Sequence, residues 1–224
     1  MAVLTISRES GSEGSIVGKQ VARTLGYHFL DKEDIGEVMS LVGLAEFDRE
    51  YDSTLSFWNQ FDVRRMGRRE EMVNTLNQVM LALARHGNTV ITGRCGFVVL
   101  QDYADVLNVR FQAPFSLRVK RMMGHHNIND PFEAEEFVHK RDRIRADFVE
   151  SFYGEQWIAP RYFDLIIDTG KIPLEMAADW LSGALRHLDT RDMTGAQTTA
   201  DIRVDERYRA AVCQVLGCDQ EQHR

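Results

Sequence analysis

The sequence predicts an α/β domain in which a parallel sheet is flanked by helices. Short apolar runs rich in Val, Ile, Leu and Phe alternate along the chain with longer segments of helical spacing. These runs lack a clean polar–apolar alternation, as expected of strands that are covered on both faces. The predicted strands are residues 3–7, 27–30, 89–92, 106–111 and 165–168.

The bulk composition excludes several classes of protein. A chain of 224 residues with 44% hydrophobic and 27% charged residues is typical of one globular domain with a substantial core. The net charge of −7 argues against general nucleic-acid binding. Because we find neither a membrane-length apolar run nor a signal peptide, we expect no membrane partner. The three cysteines lack disulfide or zinc spacing, which favours a cytoplasmic location.

The first strand is followed by a Gly/Ser-rich turn at residues 11–15 and then by a helix, whose apolar stripe includes Val17, Val21 and Leu25. Glycines let the backbone curl so that its N–H groups face an anion, and the helix N-terminus adds partial positive charge. The turn therefore predicts a phosphate-binding loop. The alternative is an ordinary strand–turn–helix connection with a Ser/Gly cap.

The usual phosphate-loop pattern, G-x-x-x-x-G-K-S/T, is only partly present. Arg8 and Glu13 stand at the two glycine positions and Gly14 stands at the lysine position, whereas Ser15 keeps the hydroxyl that would contact magnesium. A carboxylate at Glu13 would be costly beside a phosphate unless it turns outward or pairs with Arg8 or Lys19.

Ligands of parallel sheets bind at the carboxyl ends of the strands. This rule selects the residues that directly follow each predicted strand: Arg8 to Ser15, Asp31, Gly93 and Arg94, Gln112, and Thr169. Arg94 lies between Gly93 and Gly96, and a guanidinium at this edge can hold an anionic substrate through two parallel hydrogen bonds.

The helical segments predict the surroundings of this edge. Residues 68–86 form the clearest helix, and residues 48–66 form either an insertion beside the site or a plain connecting helix. A further helix, residues 132–152, places Arg141 and Arg145 on one face. Either an anion lies between these two arginines, or they belong to a solvated face whose partners are Glu135, Glu136 and Asp142.

The C-terminal part predicts an appendage to the main domain. Residues 189–203 are polar and aperiodic and are interpreted as a linker. The tail, residues 204–224, contains a short helical stripe that indicates either a docking helix or a loosely attached segment. On this interpretation, truncation after Leu188 leaves a folded protein.

The chain resembles the cytidylate kinase-like family of P-loop proteins. The likeness covers residues 2–188 and follows the order of the family's motifs. Its motifs are residues 7–14, residues 26–33, Gly93-Arg94 with the apolar residues 97–100, Lys140-Arg141-Asp142, and residues 165–169 followed by Leu174-Glu175.

The resemblance implies a P-loop fold of the nucleoside monophosphate kinase type, with a five-stranded parallel sheet and a helical lid at residues 132–152, within a domain of residues 1–188. It implies ATP and Mg²⁺ as cofactors. ATP phosphates would be held by Gly11, Ser12, Glu13, Gly14 and Ser15, and magnesium by Ser15. Asp31 would bind the acceptor's sugar and Arg94 its phosphate. Arg8, Arg141 and Arg145 would be catalytic, with Arg8 in place of the missing lysine.

The chain departs from the family at several positions. Gly14 replaces the P-loop lysine, and Cys95 follows Gly93-Arg94 where the family has aspartate. The position at which the family has an acceptor-binding arginine falls near Glu37. Three interpretations therefore stay open: phosphoryl transfer from ATP to a nucleoside monophosphate such as CMP, a nucleotide-binding regulatory module without turnover, and a kinase of a non-nucleotide small molecule. A homo-oligomer also stays open.

Overall fold

The computed structural model describes residues 1–45, 47 and 63–218. Its centre is a five-stranded, all-parallel sheet of strand order β2-β3-β1-β4-β5. The strands are β1 (Val3–Arg8), β2 (His28–Leu30), β3 (Thr89–Thr92), β4 (Val106–Gln112) and β5 (Leu165–Asp168). The predicted α/β class with a five-stranded parallel sheet is confirmed.

Helices connect the strands and cover both faces of the sheet. They are α1 (Gly14–Leu25), α2 (Lys32–Leu41), α3 (Val63–His86), α4 (Gly96–Val99), α5 (Phe115–His126), α6 (Pro131–Tyr153), α7 (Leu174–Thr190) and α8 (Glu206–Leu216). Two short 3₁₀ helices lie at Pro160–Tyr162 and Thr199–Asp201. None of the helices in the described ranges combines the length and the hydropathy that a bilayer crossing requires.

The central strand β1 divides the core into two layers. Leu4 and Ile6 pack with the apolar stripes of α1 and α7, whereas Val3 belongs to the cluster formed with α2, α3 and α8. Adjacent side chains of a strand point to opposite faces. Both faces are therefore buried, which explains the continuous apolar runs of the sequence.

The predicted element boundaries are close to the observed ones. Strands β3 and β5 match the prediction, β1 and β4 each extend one residue further, and β2 begins one residue later. β1 extends because Arg8 stays in register with Phe111 of β4. The helix predicted at 132–152 begins at Pro131, because Asp130 caps it and proline fits the first helical position. Of the predicted insertion at 48–66, residues 48–62 lie outside the described residues, and Val63 begins α3.

The predicted linker is anchored to the domain at residues 197–201. The N–H and hydroxyl of Thr199 donate to the buried Asp105 carboxylate at 2.8 and 2.6 Å, and the Ala104 N–H donates to the Gln197 carbonyl at 2.8 Å. Helix α8 then buries Tyr208 and Val212 against the cluster of α2 and α3. The boundaries at 188 and 203 stay predictions, but α8 is a docked helix and residues 197–201 are not a free linker.

Candidate active site

The loop at residues 9–13 joins β1 to α1 and curls tightly. Gly11 and Glu13 have left-handed backbones, with φ of 77° and 64°. A Cβ atom on Gly11 would lie 2.6 Å from the Arg118 carbonyl oxygen, and one on Gly14 would lie 2.8 Å from the Phe111 ring. Glycine is therefore required at both positions by close approach.

Side chains from outside loop 9–13 hold its carbonyl oxygens. Arg118 donates to the Ser10 carbonyl at 3.2 Å, Arg121 to the Gly11 carbonyl at 3.1 Å, and Thr169 to the Ser12 carbonyl at 2.8 Å. In a planar trans peptide the N–H points opposite to the preceding carbonyl. The N–H groups of Gly11 and Glu13 therefore point away from these donors, which is the orientation that an anion cradle requires.

The two carboxylates of loop 9–13 lie close to basic side chains. The Glu13 carboxylate lies 2.8 Å from His125 Nε2 and 4.0 Å from Arg121. It therefore pairs with side chains of α5 rather than with Arg8 or Lys19. Glu9 pairs with Arg110 at 3.3 Å and with Arg118 at 3.2 Å. Burial lowers the pKa of Arg110, and the Glu9 and Asp142 carboxylates oppose that shift. Both acidic side chains of the loop are thus paired with basic side chains from other elements.

Two cavities meet above this edge of the sheet. The loop cavity, about 170 Å³, is lined by Arg8 to Gly11, Glu13 to Ile16, Met122 and His125, together with Arg141 and Arg145. The sheet-edge cavity, about 310 Å³, is lined by Ser7, Lys32, Thr92 to Cys95, Phe97, Phe137, Lys140, Ile144, Val149 and Trp157. Arg8, Arg141 and Arg145 line both cavities. These three arginines are therefore brought together at the junction.

Arg8 spans the junction of the two cavities. Its Nε atom donates to Ser15 Oγ at 3.2 Å, and its guanidinium packs so closely on Gly93 that no Cβ atom fits there. The side chain thus contacts the start of α1 on one side and the end of β3 on the other.

The turn after β3 directs Arg94 into the sheet-edge cavity. Gly93, Arg94 and Cys95 have consecutive left-handed backbones, with φ of 82°, 53° and 62°. For non-glycine residues this conformation costs about 1 kcal/mol each and is found at functional sites. The Arg94 guanidinium, 4% exposed, lies 5.1 Å from the Phe47 ring. Burial raises the pKa of the Cys95 thiol, so it is not an activated nucleophile.

Ser12 and Asp31 are the predicted site residues that line neither cavity among the described residues. Ser12 is buried, and its N–H and hydroxyl both donate to the Glu9 carbonyl, at 3.2 and 2.8 Å. Asp31 lies at the start of α2. Its carboxylate caps α2 by accepting the Glu33 N–H at 3.0 Å, while Asp34 accepts the Asp31 N–H at 2.8 Å. A carboxylate at an N-cap is held by the helix amides. The neighbouring Lys32, which sequence reasoning passed over, lines the sheet-edge cavity instead.

Helix α6 presents its arginine face to loop 9–13 rather than to solvent. Arg145 donates to Ser10 Oγ at 2.7 Å and to Asp142 Oδ1 at 2.9 Å, and Arg141 lies 5.3 Å from the Phe137 ring. Asp142 is thus a partner of Arg145, as the solvated alternative expected. The face itself lies against loop 9–13, and the role of α6 as a lid stays a prediction.

The sequence profile of the cytidylate kinase-like family matches residues 3–171. The chain belongs to this family. Together with the parallel sheet and the loop between β1 and α1, this membership identifies an α/β P-loop kinase fold.

A curated kinase relative agrees with this assignment. A cytidylate kinase of Ignicoccus hospitalis is 27% identical over 185 residues, which cover 83% of this chain and 99% of the relative. A uronate isomerase of Corynebacterium glutamicum is 28% identical over 153 residues, but the match covers 65% of this chain and only 29% of that protein. Family membership therefore indicates phosphoryl transfer as the general chemistry of this chain.

Among solved structures, an uncharacterized protein from Eubacterium ventriosum superposes with a TM-score of 0.63 at 20% identity, over 85% of this chain and all of that one. At this identity the likeness shows the shared fold alone.

Sequence reasoning missed several residues of this kinase-like site. Arg118 and Arg121 sit three residues apart on α5, so their spacing was a usable signal for a shared face. Arg110 was detectable as a charge between the buried Val109 and Phe111 of β4. Trp157, whose carbonyl accepts a hydrogen bond from Arg110 at 3.3 Å, follows α6 without any local signal.

The donor set fits a magnesium ion that arrives with nucleotide. The described residues contain no cluster of three or more His, Cys, Asp or Glu side chains that could hold a metal. Mg²⁺ at phosphoryl-transfer sites binds chiefly through substrate phosphates and waters, with one or two protein oxygens. The Ser15 hydroxyl accepts from Arg8 and has a second lone pair for such an ion.

Proposed function

We propose that this protein transfers a phosphoryl group from ATP-magnesium to a small anionic acceptor, a nucleoside monophosphate such as CMP. One observation carries the proposal: Arg8, Arg141 and Arg145 line both the loop cavity and the sheet-edge cavity. Phosphoryl transfer requires two anions to meet in line, with positive charge at the point where they meet. An arginine cluster between two cavities supplies that charge.

The loop cavity is the proposed donor side. The turn from Gly11 to Ser15 would cradle the ATP phosphates through the backbone of Gly11, Glu13 and Gly14. Ser12 would shape the turn instead, because its N–H donates to the Glu9 carbonyl. The Ser15 hydroxyl would contact Mg²⁺, which supplies charge neutralisation to the phosphates when it is bound. Two observations support this assignment. The carbonyls of the loop accept hydrogen bonds from Arg118, Arg121 and Thr169, and Glu13 pairs with His125.

Arg8 is the proposed substitute for the P-loop lysine. Gly14, at the lysine position, carries no side chain. Arg8 enters the same region from the end of β1 and contacts Ser15. A guanidinium can bind two phosphate oxygens at once, so it can hold donor and acceptor phosphates in a fixed relation.

The sheet-edge cavity is the proposed acceptor side. Six of its described lining side chains are cationic, and none is a carboxylate; the cations are Arg8, Lys32, Arg94, Lys140, Arg141 and Arg145. Phe137 and Trp157 add aromatic surface on which a base can stack. This chemistry suits a phosphate joined to a planar ring and offers few acceptors to the hydroxyls of a neutral polyol. The relationship to a cytidylate kinase supports CMP within this class.

The nucleotide-binding module without turnover is the alternative that a specific observation favours. Gly14 replaces the lysine, and the carboxylates of Glu9 and Asp142 lie at the loop, where they reduce its positive charge. The third interpretation keeps the donor side and changes the acceptor to a non-nucleotide small molecule. Under the leading proposal the enzyme works in the cytoplasm, where ATP and nucleoside monophosphates are available.

The test is ATP consumption with a panel of acceptors that includes CMP, UMP, AMP and small alcohols, with the phosphorylated products identified by mass. The expected result is transfer to a nucleoside monophosphate, which is lost in Arg94→Ala. ATP binding without transfer to any acceptor would support the regulatory module instead. Transfer only to a small alcohol would support the third interpretation.

A further inference from the structure

We propose that Asp142 is a positioning residue for the reaction proposed above: it fixes the guanidinium of Arg145 and the backbone of Ser10 relative to each other. The inference rests on the proposed function, because Arg145 matters only if anions bind at the junction of the two cavities. It assigns a role to an acidic side chain in a site whose ligands are themselves anions.

The Asp142 carboxylate joins three separate elements of the structure. Its Oδ1 atom accepts from the Ser10 N–H at 2.8 Å and from Arg145 at 2.9 Å, and its Oδ2 atom accepts from Arg118 at 2.7 Å. Loop 9–13, α5 and α6 are therefore tied at a single side chain. Because both oxygens accept from cationic groups, these are charge-assisted hydrogen bonds, which are shorter and stronger than neutral ones.

Every polar group of Ser10 takes part in a hydrogen bond with this cluster of charged side chains. Its N–H donates to Asp142, its carbonyl accepts from Arg118 at 3.2 Å, and its hydroxyl accepts from Arg145 at 2.7 Å. Arg118 in turn binds Asp142, so the three side chains close a ring around this residue. Ser10 is thereby held in one conformation. The N–H groups of Gly11 and Glu13 point away from the donors that hold the loop.

Burial strengthens this arrangement. The side chains of Asp142, Arg145 and Arg118 are 18%, 17% and 10% exposed, so their ion pairs are only partly screened by water. An arginine has many rotamers, and holding it in one of them opposes its conformational entropy. Asp142 and the Ser10 hydroxyl both bind the Nη1 atom of Arg145 and so select a conformation that lines both cavities.

A carboxylate at this place could have a second role, for which its removal would change the ATP affinity in the opposite direction. It could act as an internal anion that competes with the donor phosphates for Arg145. Removing a competitor tightens ATP binding, whereas removing a positioning residue weakens it. The ring around Ser10 favours positioning, because a phosphate would have to break all of these contacts to replace the carboxylate.

The test measures ATP-magnesium affinity by calorimetry for wild type, Asp142→Ala, Arg145→Ala and the double variant. We expect each single variant to bind about tenfold more weakly, as for the loss of one charge-assisted hydrogen bond. The losses should be less than additive in the double variant, because part of the effect of Asp142 is exerted through the Arg145 side chain. Asp147→Ala removes one negative charge from the same helix and should leave the affinity unchanged, which controls for net charge.

Asp142→Asn provides a second variant should Asp142→Ala not fold. Its amide oxygen can still accept from Ser10 and Arg145, but its NH₂ group would face Arg118, so we expect an affinity between those of wild type and Asp142→Ala. Wild-type affinity in both variants, tighter binding, or additive losses in the double variant would overturn the positioning role. Failure of the wild type to bind ATP-magnesium would instead overturn the proposed function.

Discussion

Gly11 combines two demands on its backbone, and Gly26 shares only one of them. Both residues are left-handed, with φ of 77° and 70°. A Cβ atom on Gly11 would collide with the Arg118 carbonyl, whereas one on Gly26 would meet nothing within 4 Å. Comparing substitutions at Gly11 and Gly26 therefore separates two roles of glycine: adopting a positive φ, and allowing α5 to approach loop 9–13.

We predict that Gly11→Ala abolishes the stabilisation by ATP-magnesium. For wild type this stabilisation should be about 2–3 kcal/mol at roughly a hundredfold excess over the dissociation constant. Gly26→Ala should cost about 1 kcal/mol of stability through its positive φ and should keep the nucleotide effect. Thermal unfolding of both variants, with and without ATP-magnesium, provides the measurement. A wild-type shift in Gly11→Ala would locate the nucleotide elsewhere.

Helix α6 gives Arg141 and Arg145 different surroundings. Arg145 is held by Asp142 and Ser10, whereas Arg141 lies over the Phe137 ring. Both line the two cavities, so both can contact charge that develops during transfer. Only Arg145 is also part of a partly buried ion-pair network, so its loss should affect stability as well.

We predict that Arg141→Ala and Arg145→Ala each lower the single-turnover rate. The expected loss of transition-state stabilisation is about 2–4 kcal/mol for each variant. Lysine should rescue poorly, because a point charge cannot bridge two phosphate oxygens. The melting temperature should hardly change for Arg141→Ala. It should fall for Arg145→Ala, whose unfolding free energy should drop by about 1–3 kcal/mol. Normal turnover in both variants would reject the lid assignment.

Asp189, in the last turn of α7, ties this helix to the start of β1 and to the end of α1. Its carboxylate accepts the Ala2 N–H at 2.6 Å and the Tyr27 hydroxyl. Burial by itself raises the pKa of Asp189, but the hydrogen bonds from Tyr27 and Ala2 outweigh it and lower the pKa below the usual range. The charged form is therefore bound more tightly in the folded state than in the unfolded state.

A group with a lowered pKa in the folded state contributes stability above its unfolded pKa, and that stability is lost as the pH falls through the folded pKa. We therefore predict that Asp189→Asn is less stable than wild type at neutral pH. The difference should begin to shrink below about pH 4, the pKa of an unfolded aspartate, and should vanish once the pH is below the lowered folded-state pKa. Melting temperatures across the acid range test this, and a constant difference between the two proteins would contradict it.

At the scale of the whole molecule, α8 completes the core rather than trailing from it. Tyr208, Ala211 and Val212 are buried with α2 and α3, and Thr199 anchors the preceding chain to Asp105. The expectation that truncation after Leu188 leaves a folded protein is accordingly replaced by its opposite. Such a truncation exposes the apolar face that α2 and α3 present to α8.

We predict that truncation after Leu188 yields a molten or insoluble protein, and that Val212→Ala costs about 1–3 kcal/mol of unfolding free energy. Arg209→Ala is the matched control on the same helix. Arg209 pairs with Glu206 on the exposed side of the helix, where ion pairs contribute little, so its loss should leave the unfolding free energy almost unchanged. Chemical denaturation of each variant provides the measurement. A truncated protein with wild-type cooperativity would show that α8 is dispensable.

The sequence by itself determined the order and approximate bounds of the strands, the long helix α3 and the curled loop before α1. These features depend on periodicity, on glycine and on capping, which act within a few residues of the chain. The position of Arg94 at the end of β3 followed from the same logic, because parallel strands end at one edge of the sheet.

Only the tertiary structure decided which side chains complete the site. Ser10 meets Asp142 across 132 positions, and Arg121 meets the Gly11 carbonyl across 110, so no local pattern records either contact. It also decided that α8 docks, since this depends on which apolar surface lies within reach after folding. Local propensities specify elements, but the partners of a side chain are specified by sheet order and helix packing, which only the whole folded chain determines.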